Sequence, residues 1–453
     1  MKKYFIYIIC VLAIGFAVLP MGLSPEWNGE NMWHRNQYEV LAESMLKGHV
    51  YLEYDAVFTA KLSQMDNPYD TKVRDLEGIP YKWDHAYYKG RYYMYFGVVP
   101  VILTFLPYRI ITGHSLNTYH ATQLYVAIFI IGIFYLFYYL KLKTKSKISK
   151  VEYALAATGV SFMSVWYATG YPALYTTAIT SAMMFSILSI IFYVKTCFEK
   201  KNKLRNILIG AFLGALIFGC RPTLGFTNLL FFPALLSILK NEKKENKIFI
   251  IFITLIPFII IGFLLMMYNY MRFDNVLEFG QKYQLTSCDQ TNIVKDNLNL
   301  SHFKKQLENF FFYYEDVEIN FPYIRFLGLF YNYPVLVFPI IMVLSKKFWE
   351  KLKKNKLLSI YLLIMLSIVI SVIAIVIMSP YVLVRYHMDV IYLFGILLYI
   401  SYLLMVENDK YNIRRILFAI VFIDMIIKSY LLYMVPDMYN FPSYLYKYKH
   451  KKN

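Results

Sequence analysis

Long apolar segments alternate with short basic clusters along most of this chain. A helix needs about 20 apolar residues to cross the hydrocarbon core of a bilayer. Segment 207–239 is too long for one crossing and is interrupted at Arg221-Pro222, so it predicts two helices joined by a tight turn. With it, the candidate crossings are 4–19, 121–140, 153–167, 174–193, 207–239, 248–267, 326–345, 357–378, 390–406 and 416–435. The pattern predicts an all-α polytopic membrane protein of about eleven transmembrane helices.

The Lys and Arg clusters between these segments predict the topology. They occupy 1–3, 141–150, 195–205, 240–247, 346–356 and 410–415. Cytoplasmic loops carry an excess of Lys and Arg, so these clusters and the N-terminus are expected to be cytoplasmic. A single crossing must then separate the first external loop from Lys141, and segment 121–140 supplies it. The preceding stretch 84–113, "DHAYYKGRYYMYFGVVPVILTFLPYRIITG", is therefore expected to lie along the outer surface.

The composition narrows the class of protein. Hydrophobic residues make up 58% of the chain and charged residues 17%, whereas about a quarter of a soluble domain is charged. The net charge of +18 comes from the clusters between apolar segments and not from a basic patch with interleaved aromatic residues, so we expect no nucleic-acid partner. The cysteines show no metal-ligand spacing. The sequence predicts no metal site and identifies no cofactor. It leaves open whether the protein uses a divalent cation.

Two external loops are long enough to be structured. The first spans 21–120 and the second 268–325. In the first loop, "NQYEVLAESMLKG" predicts a surface helix whose apolar face is formed by Tyr38, Leu41, Ala42, Met45 and Leu46. That face packs either on the bilayer or on the protein's own spans, and the sequence leaves both alternatives open.

Residues suited to acid–base chemistry collect in the first external loop. Glu30 and Asp84 are the leading candidates for a general base, and Glu26 is the next acid along the chain from Glu30. A carboxylate of this kind takes the proton from an attacking hydroxyl. His85 follows Asp84 directly and is expected to orient it or to form a metal pair with it; the alternative for both is a local turn.

Candidate binding residues lie at the predicted outer ends of the spans. Guanidinium groups hold phosphates through paired, charge-assisted hydrogen bonds, which makes the three arginines there candidate phosphate ligands. Two acids near them either contact the substrate or pair with the arginines, and one histidine completes the set. These residues are Arg221, Arg272, Arg385, Glu278, Asp389 and His34.

The span interiors carry few charges, and this bears on mechanism. Ion-driven carriers place ionisable groups near the bilayer midplane. Asp424 and Lys428 are the exception in the last span, and their spacing of four residues predicts a mutually satisfied pair. Charges at the outer boundary suit a substrate whose tail lies in lipid and whose phosphate lies at the interface.

Together these features resemble the membrane-embedded C-type glycosyltransferases, in particular the protein O-mannosyltransferase and lipid-A aminoarabinose transferase group and its bacterial relatives. The resemblance covers most of the chain at the level of topology. It is carried by "NQYEVLAESMLKGHVYL", "YYMYFGVVPVILTFLPYRIITG", "CRPTLGFTNLLFFPALL", "RFDNVLEFGQKYQLT" and "VRYHMDVIYLFG".

The resemblance implies one transmembrane glycosyltransferase domain over residues 1–453 in a bacterial cytoplasmic membrane. It implies transfer of a sugar from a polyprenyl-phosphate donor to a glycan, lipid or protein acceptor on the outer face. The family's catalytic carboxylate precedes the first surface helix. Here Asn36 and His34 stand where that acid is expected, and Glu30 and Glu26 are the nearest acids before the helix. A lipid-linked oligosaccharide flippase, a surface-polysaccharide polymerase or ligase, and a non-catalytic scaffold remain alternatives.

Overall fold

The computed structural model describes residues 4–23, 37–240, 242–286, 289–291, 299–312, 326–346, 349–350, 356–379, 382–406 and 413–434. This part of the chain is predominantly helical. Its α-helices are α1 (Phe5–Val18), α2 (Gln37–Leu46), α3 (Val57–Ala60), α4 (Thr71–Leu76), α5 (Leu106–Thr112), α6 (Thr118–Lys143), α7 (Lys150–Gly170), α8 (Leu174–Phe198), α9 (Lys203–Phe218), α10 (Phe231–Leu239), α11 (Lys244–Phe273), α12 (Leu300–Phe312), α13 (Leu329–Asn332), α14 (Phe338–Leu344), α15 (Lys356–Val376), α16 (Met388–Val406) and α17 (Ile413–Tyr433). Short 3-10 helices cover Leu19–Leu23, Leu62–Gln64, Pro222–Leu230, Gln281–Tyr283, Pro334–Val337 and Val384–His387, and a π-helical turn covers Val101–Phe105.

Among the described residues, 8 helical segments are long and apolar enough to cross a membrane. They are Phe5–Gly22, Thr118–Lys143, Leu174–Phe198, Pro222–Leu239, Lys244–Phe273, Ser359–Val376, Val384–Val406 and Ile413–Tyr433. The chain is therefore an all-α membrane protein, as the alternation of apolar and basic segments predicts. The interruption at Arg221-Pro222 is also confirmed, because α9 ends at Phe218 and a 3-10 helix begins at Pro222.

The predicted number of about eleven spans is not confirmed. Helix α7 forms over the expected segment, but its Gly, Ser and Thr residues make it less apolar than the other long helices. Helix α9 has 16 residues, fewer than a full crossing requires. Segment 326–345 divides into α13, a 3-10 turn and α14.

The tyrosine-rich stretch 84–113 forms a hairpin and a short helix. Strands β1 (His85–Tyr88) and β2 (Arg91–Tyr93) pair antiparallel, with Tyr87 opposite Tyr92. The two-residue turn at Lys89-Gly90 has positive φ at both positions, as a hairpin turn of this length prefers. The apolar remainder, Val101–Thr112, is a helix too short to cross. The prediction that this stretch is not a span is confirmed, and its position on the outer surface stays a prediction.

A third strand joins the two long loops. Strand β3 (Gln284–Leu285) comes from the second loop and pairs antiparallel with β1, with His85 opposite Leu285 and Ala86 opposite Gln284. The strand order is β2-β1-β3. Because β3 follows α11 by a short connection, the sheet fixes the first loop to the end of that helix.

Helix α2 forms over the segment predicted for it. Tyr38, Leu41 and Ala42 are buried inside the protein, and Leu46 is exposed. The ring of Tyr38 stacks on Phe105 with 5.2 Å between centroids. Of the two alternatives for this helix, packing against the rest of the protein is the one observed for these residues.

The helix ends separate into two poles. Asn206 Nδ2 donates to Glu199 Oε2 at 3.0 Å, and Lys203 Nζ donates to the Ser237 carbonyl at 2.9 Å. The end of α8, the start of α9 and the end of α10 therefore meet at one pole with the basic clusters that flank them, and we call it the basic pole. The opposite pole, called here the site pole, holds the start of α8, the end of α9 and the start of α16. Helices α8 and α16 form the centre of the bundle and are almost fully buried.

Close backbone contact positions the turn after α9 at the site pole. The Val99 amide donates to the Gly219 carbonyl at 2.8 Å. A Cβ atom on Gly97 would overlap that same carbonyl, so glycine is required where the hairpin's continuation crosses the end of α9. The contact places Arg221 beside the first loop.

Candidate functional site

Asp84 occupies a constrained position at the start of β1. Its side chain is buried, with 8% of the residue exposed, and its backbone is left-handed with φ +55°. A non-glycine residue keeps such a conformation only when its surroundings hold it there. Here the Asp84 amide donates to the Leu285 carbonyl at 2.9 Å, and Gln37 Nε2 donates to the Asp84 carbonyl at 2.9 Å. Strand β3 and helix α2 therefore fix the backbone of Asp84.

The Asp84 carboxylate receives a hydrogen bond on each oxygen. The hydroxyl of Tyr175 donates to Oδ2, and Gln284 Nε2 donates to Oδ1 at 3.0 Å. Tyr175 lies in the first turn of α8, and Gln284 lies in β3. Hydrogen bonds to both oxygens fix the direction of the carboxyl group. Asp84 is thus held as an oriented acceptor.

Arg385 lies on the other side of Tyr175. It belongs to the 3-10 helix Val384–His387, which leads into α16. Its guanidinium carbon is 4.1 Å from the ring centroid of Tyr175 and 5.3 Å from that of Tyr386. Asp84 is close enough to interact with Arg385 electrostatically. Stacking on aromatic faces holds a guanidinium in place while it keeps its charge.

Arg221 and Asp389 form a two-point ion pair next to Tyr386. Arg221 Nε is 2.6 Å from Asp389 Oδ1 and 2.7 Å from Oδ2, and Nη2 is 2.6 Å from Oδ2. The Asp389 side chain is fully buried. The guanidinium carbon of Arg221 is also 5.4 Å from the ring centroid of Tyr386. Of the two alternatives for Asp389, pairing with an arginine is the one observed.

Tyr95 completes the group from the end of the hairpin. Burial raises the pKa of Tyr95 to about 12, and Tyr386, Arg221 and Asp84 act electrostatically on the same hydroxyl. The Tyr95 amide donates to Gln37 Oε1 at 3.2 Å. One glutamine side chain therefore bridges the backbones of Asp84 and Tyr95. We call Asp84, Tyr95, Tyr175, Arg221, Arg385, Tyr386 and Asp389 the Asp84–Arg385 cluster.

His85 supports the hairpin from inside. Its Nδ1 is 2.7 Å from the Trp83 carbonyl, and its Nε2 is 2.7 Å from the Tyr54 hydroxyl. Nδ1 therefore carries the proton and Nε2 accepts from Tyr54. Burial lowers the pKa of His85 to about 4, so the ring is neutral at pH 7. The geometry gives His85 a role in orienting the backbone next to Asp84.

Arg272 and Glu278 lie outside the cluster. Arg272 donates from Nη1 to the Met94 carbonyl at 2.8 Å and from Nη2 to Asn269 Oδ1 at 2.6 Å. Glu278 is 3.0 Å from Lys282 Nζ. Within the described ranges, no hydrogen bond or ion pair joins either residue to the Asp84–Arg385 cluster.

Three predicted residues cannot be placed. Glu26, Glu30 and His34 lie in the stretch 24–36, outside the described residues.

Sequence reasoning missed the neutral members of this site. Tyr175, Tyr386 and Tyr95 contact or surround the charged groups, and Gln37 and Gln284 hold Asp84. The chain has 44 tyrosines, so no single one of them carries a recognisable signal. Only the position of Tyr175 at the start of a span, at the same predicted boundary as the arginines, pointed towards it.

The cluster joins a hydrogen-bond acceptor to two cations. Tyr95, Arg221, Arg385 and Tyr386 are partly exposed, whereas Asp84, Tyr175 and Asp389 are buried. Among the residues that the structure describes, no group of three or more His, Cys, Asp or Glu could hold a metal ion. No family model, curated protein or solved structure matches this chain.

Proposed function

We propose that the protein is a membrane glycosyltransferase that transfers a sugar from a polyprenyl-phosphate donor to an acceptor hydroxyl at the site pole. The observation that carries this proposal is the link from Asp84 through Tyr175 to Arg385. The Tyr175 hydroxyl donates to the Asp84 carboxylate, and its ring supports the Arg385 guanidinium at 4.1 Å. A proton acceptor and a phosphate-binding cation are thereby held on two sides of one aromatic ring.

Asp84 is the general base in this proposal. Tyr175 and Gln284 each donate to one of its oxygens, and each carboxylate oxygen has the capacity to accept about two hydrogen bonds. In the proposed reactive complex the acceptor hydroxyl donates to one of these oxygens. A base within hydrogen-bond reach of the proton it removes typically contributes about 10²–10⁴-fold to the rate.

The transfer step balances as a single displacement. The acceptor oxygen bonds to the anomeric carbon of the donor as Asp84 takes the hydroxyl proton. The bond between that carbon and the phosphate oxygen breaks, and its electron pair leaves with the polyprenyl phosphate. Attack opposite the leaving group inverts the anomeric configuration. Protonated Asp84 returns its proton to solvent when the products leave.

The arginines divide the work on the phosphate. Arg385 is the proposed direct ligand, since aromatic stacking supports its charge at the edge of the cluster. Arg221 is held by Asp389 through two-point contacts. We therefore assign to Arg221 the positioning of Tyr386 and a positive electrostatic potential around the leaving group. Stabilisation of the negative charge that develops on a leaving oxygen often makes a large contribution to the rate enhancement.

The two poles support an orientation for the protein. Since Lys and Arg accumulate on the cytoplasmic side of membrane proteins, we assign the basic pole and the N-terminus to the cytoplasm. The site pole then lies at the outer face of a bacterial cytoplasmic membrane. A donor with its tail among membrane lipids presents its phosphate at that level.

The test compares Asp84→Asn with Asp274→Asn in membranes supplied with polyprenyl-phosphate sugars. Asp274 is an exposed acid near the hairpin, paired with Lys89 at 2.9 Å, and is the matched control. Asp84→Asn keeps the size of the side chain but removes the base, and we expect about 10²–10⁴-fold slower transfer. Helical content and insertion should be unchanged.

Three outcomes are informative. If Asp84→Asn transfers sugar at the wild-type rate, Asp84 is not the base. Movement of labelled lipid-linked sugar across the membrane without a new glycosidic bond favours a flippase. Products with many added repeats favour a surface-polysaccharide polymerase or ligase over a transferase that adds one sugar.

A further inference from the structure

We infer that Trp83 and Tyr81 form a stacking platform that binds a pyranose ring of a carbohydrate acceptor next to Asp84. The inference rests on the proposed function and selects one acceptor class among glycan, lipid and protein. Trp83 immediately precedes Asp84, and 39% of it is exposed. An exposed indole beside a candidate base offers an aromatic face on which the ring of a ligand can pack.

The indole of Trp83 is held by the same residues that hold Asp84. The Trp83 carbonyl accepts a hydrogen bond from His85 Nδ1 at 2.7 Å, which fixes the backbone. The Trp83 side chain makes a hydrogen bond with the Tyr175 hydroxyl. An indole has only an N–H donor, so the indole donates to Tyr175, which in turn donates to Asp84. The ring is thereby oriented, and its exposed part lies at the edge of the Asp84–Arg385 cluster.

Tyr81 provides a second ring. The centroids of Tyr81 and Trp83 are 6.3 Å apart, with 31° between the ring planes. The guanidinium carbon of Arg74 lies 3.9 Å from the Tyr81 centroid and supports one face of that ring. Arg74 is itself buried. Two neighbouring rings with fixed positions form a surface that is wider than one side chain.

A sugar ring fits this surface better than the other acceptor classes. One face of a pyranose is rich in C–H bonds with slight positive charge, which pack on the negative face of an aromatic ring. Its hydroxyls lie at the rim, where Asp84 and Tyr175 are located. A peptide that added a strand at the β2 edge would meet Leu52, which already donates to the Tyr92 carbonyl of β2 at 2.7 Å.

The experiment uses the full chain in nanodiscs and saturation-transfer NMR with mannobiose, cellobiose and chitobiose as probes. Trp83→Ala is compared with Trp349→Ala, since Trp349 is 49% exposed and lies in the basic cluster 346–356. We expect Trp83→Ala to weaken binding about tenfold, which corresponds to the energy of one aromatic stacking contact. Trp349→Ala should bind as the wild type does. Trp83→Tyr keeps a flat ring and should retain most of the signal even if the alanine variant folds poorly.

Quenching by brominated lipids separates this platform from an interfacial anchor. Trp83 fluorescence, taken as the difference between the wild type and Trp83→Phe, should be insensitive to bromine in the bilayer. Strong quenching places Trp83 in the lipid and overturns the inference, as does the absence of saturation transfer from every disaccharide. Probe binding is measured without a sugar donor, so loss of the proposed transfer and loss of the platform are read in separate assays.

Discussion

Within the described residues, two arginine–carboxylate pairs with two-point contacts lie at opposite poles. At the site pole, Arg221 contacts Asp389 through Nε and Nη2. At the basic pole, Arg415 contacts Glu152 through the same two nitrogens, at 2.7 and 2.6 Å. Asp389 is fully buried, and the Glu152 side chain is 12% exposed. The pairs differ mainly in what surrounds them.

Glu152 is saturated by donors from the protein itself. Besides Arg415, the Tyr402 hydroxyl donates to Oε1 at 2.6 Å, and the Ser149 amide donates to Oε2 at 2.6 Å. The Ser149 hydroxyl accepts from the Glu152 amide in return, which completes a capping box at the start of α7. This arrangement ties α7, α16 and α17 together and has no capacity left for a ligand.

The Arg221–Asp389 pair is instead bordered by groups that can act on a substrate. Tyr386 lies between Arg221 and Arg385, and Tyr175 connects Arg385 to Asp84. The comparison shows that a buried ion pair does not identify a site. Partly exposed charged and aromatic neighbours distinguish the pair in a candidate site from the pair that only joins helices.

The largest expected effect on stability comes from breaking the buried pair at the site pole. Asp389→Asn leaves Arg221 without its carboxylate, and we expect the free energy of unfolding to decrease by about 3–5 kcal/mol. Denaturation in detergent measures it. The double variant Arg221→Met with Asp389→Leu should recover much of the stability without restoring transfer, because apolar residues replace both charges. A single variant as stable as the wild type would contradict the assigned burial.

The next effect is a pH dependence at His85. Its pKa is about 4 in the folded protein, against 6.5 for the ordinary group. Between pH 4 and pH 6.5 the unfolded chain binds more protons at His85 than the folded protein does. The contribution of a neutral His85 to the free energy of unfolding is therefore fully present above about pH 6.5 and is lost as the pH falls towards 4. The gap corresponds to about 3 kcal/mol. The unfolding temperature of His85→Gln should therefore decrease less steeply than that of the wild type as the pH falls. Equal slopes for the two proteins would argue against a neutral buried ring.

A smaller effect is expected at the basic pole. Arg415→Met removes two hydrogen bonds from Glu152, but Tyr402 and Ser149 continue to hold the carboxylate. The side chain of Arg415 is also partly exposed, so solvent screens the pair. We expect a loss of about 1 kcal/mol and unchanged transfer activity. Loss of transfer in a stably folded variant would show that the two poles are coupled.

The smallest effect is expected at an exposed pair near the hairpin. Lys89 and Asp274 are 2.9 Å apart, and both side chains are largely in solvent. Salt and water screen such a pair, so Lys89→Met should unfold at the same temperature as the wild type. This variant sets the background against which the buried pairs are measured, and a marked shift would mean that the pair is less exposed than its geometry indicates.

Elements with a strong local pattern were predicted well. Helix α2 has its apolar face where the spacing of Tyr38, Leu41 and Ala42 placed it. The pair Asp424–Lys428 forms at 3.0 Å, as its spacing of four residues along α17 predicted. The least apolar segments were predicted less well. A count of apolar residues cannot decide whether α7 and α9 cross, since the neighbouring helices α8 and α17 pack against them and compensate for their small and polar residues.

By itself, the sequence determined a helical membrane protein, a break at Arg221-Pro222 and a short list of charged candidates. Hydropathy and charge act over a few turns of one helix, so the order of residues is enough to specify them. Only the tertiary structure decided which candidates meet: Asp84, Arg221, Arg385 and Asp389 join one cluster, while Arg272 and Glu278 lie apart from it. Their contacts depend on Tyr175 and Gln284, which are distant in the chain and chemically ordinary until the helices and strands bring them to Asp84.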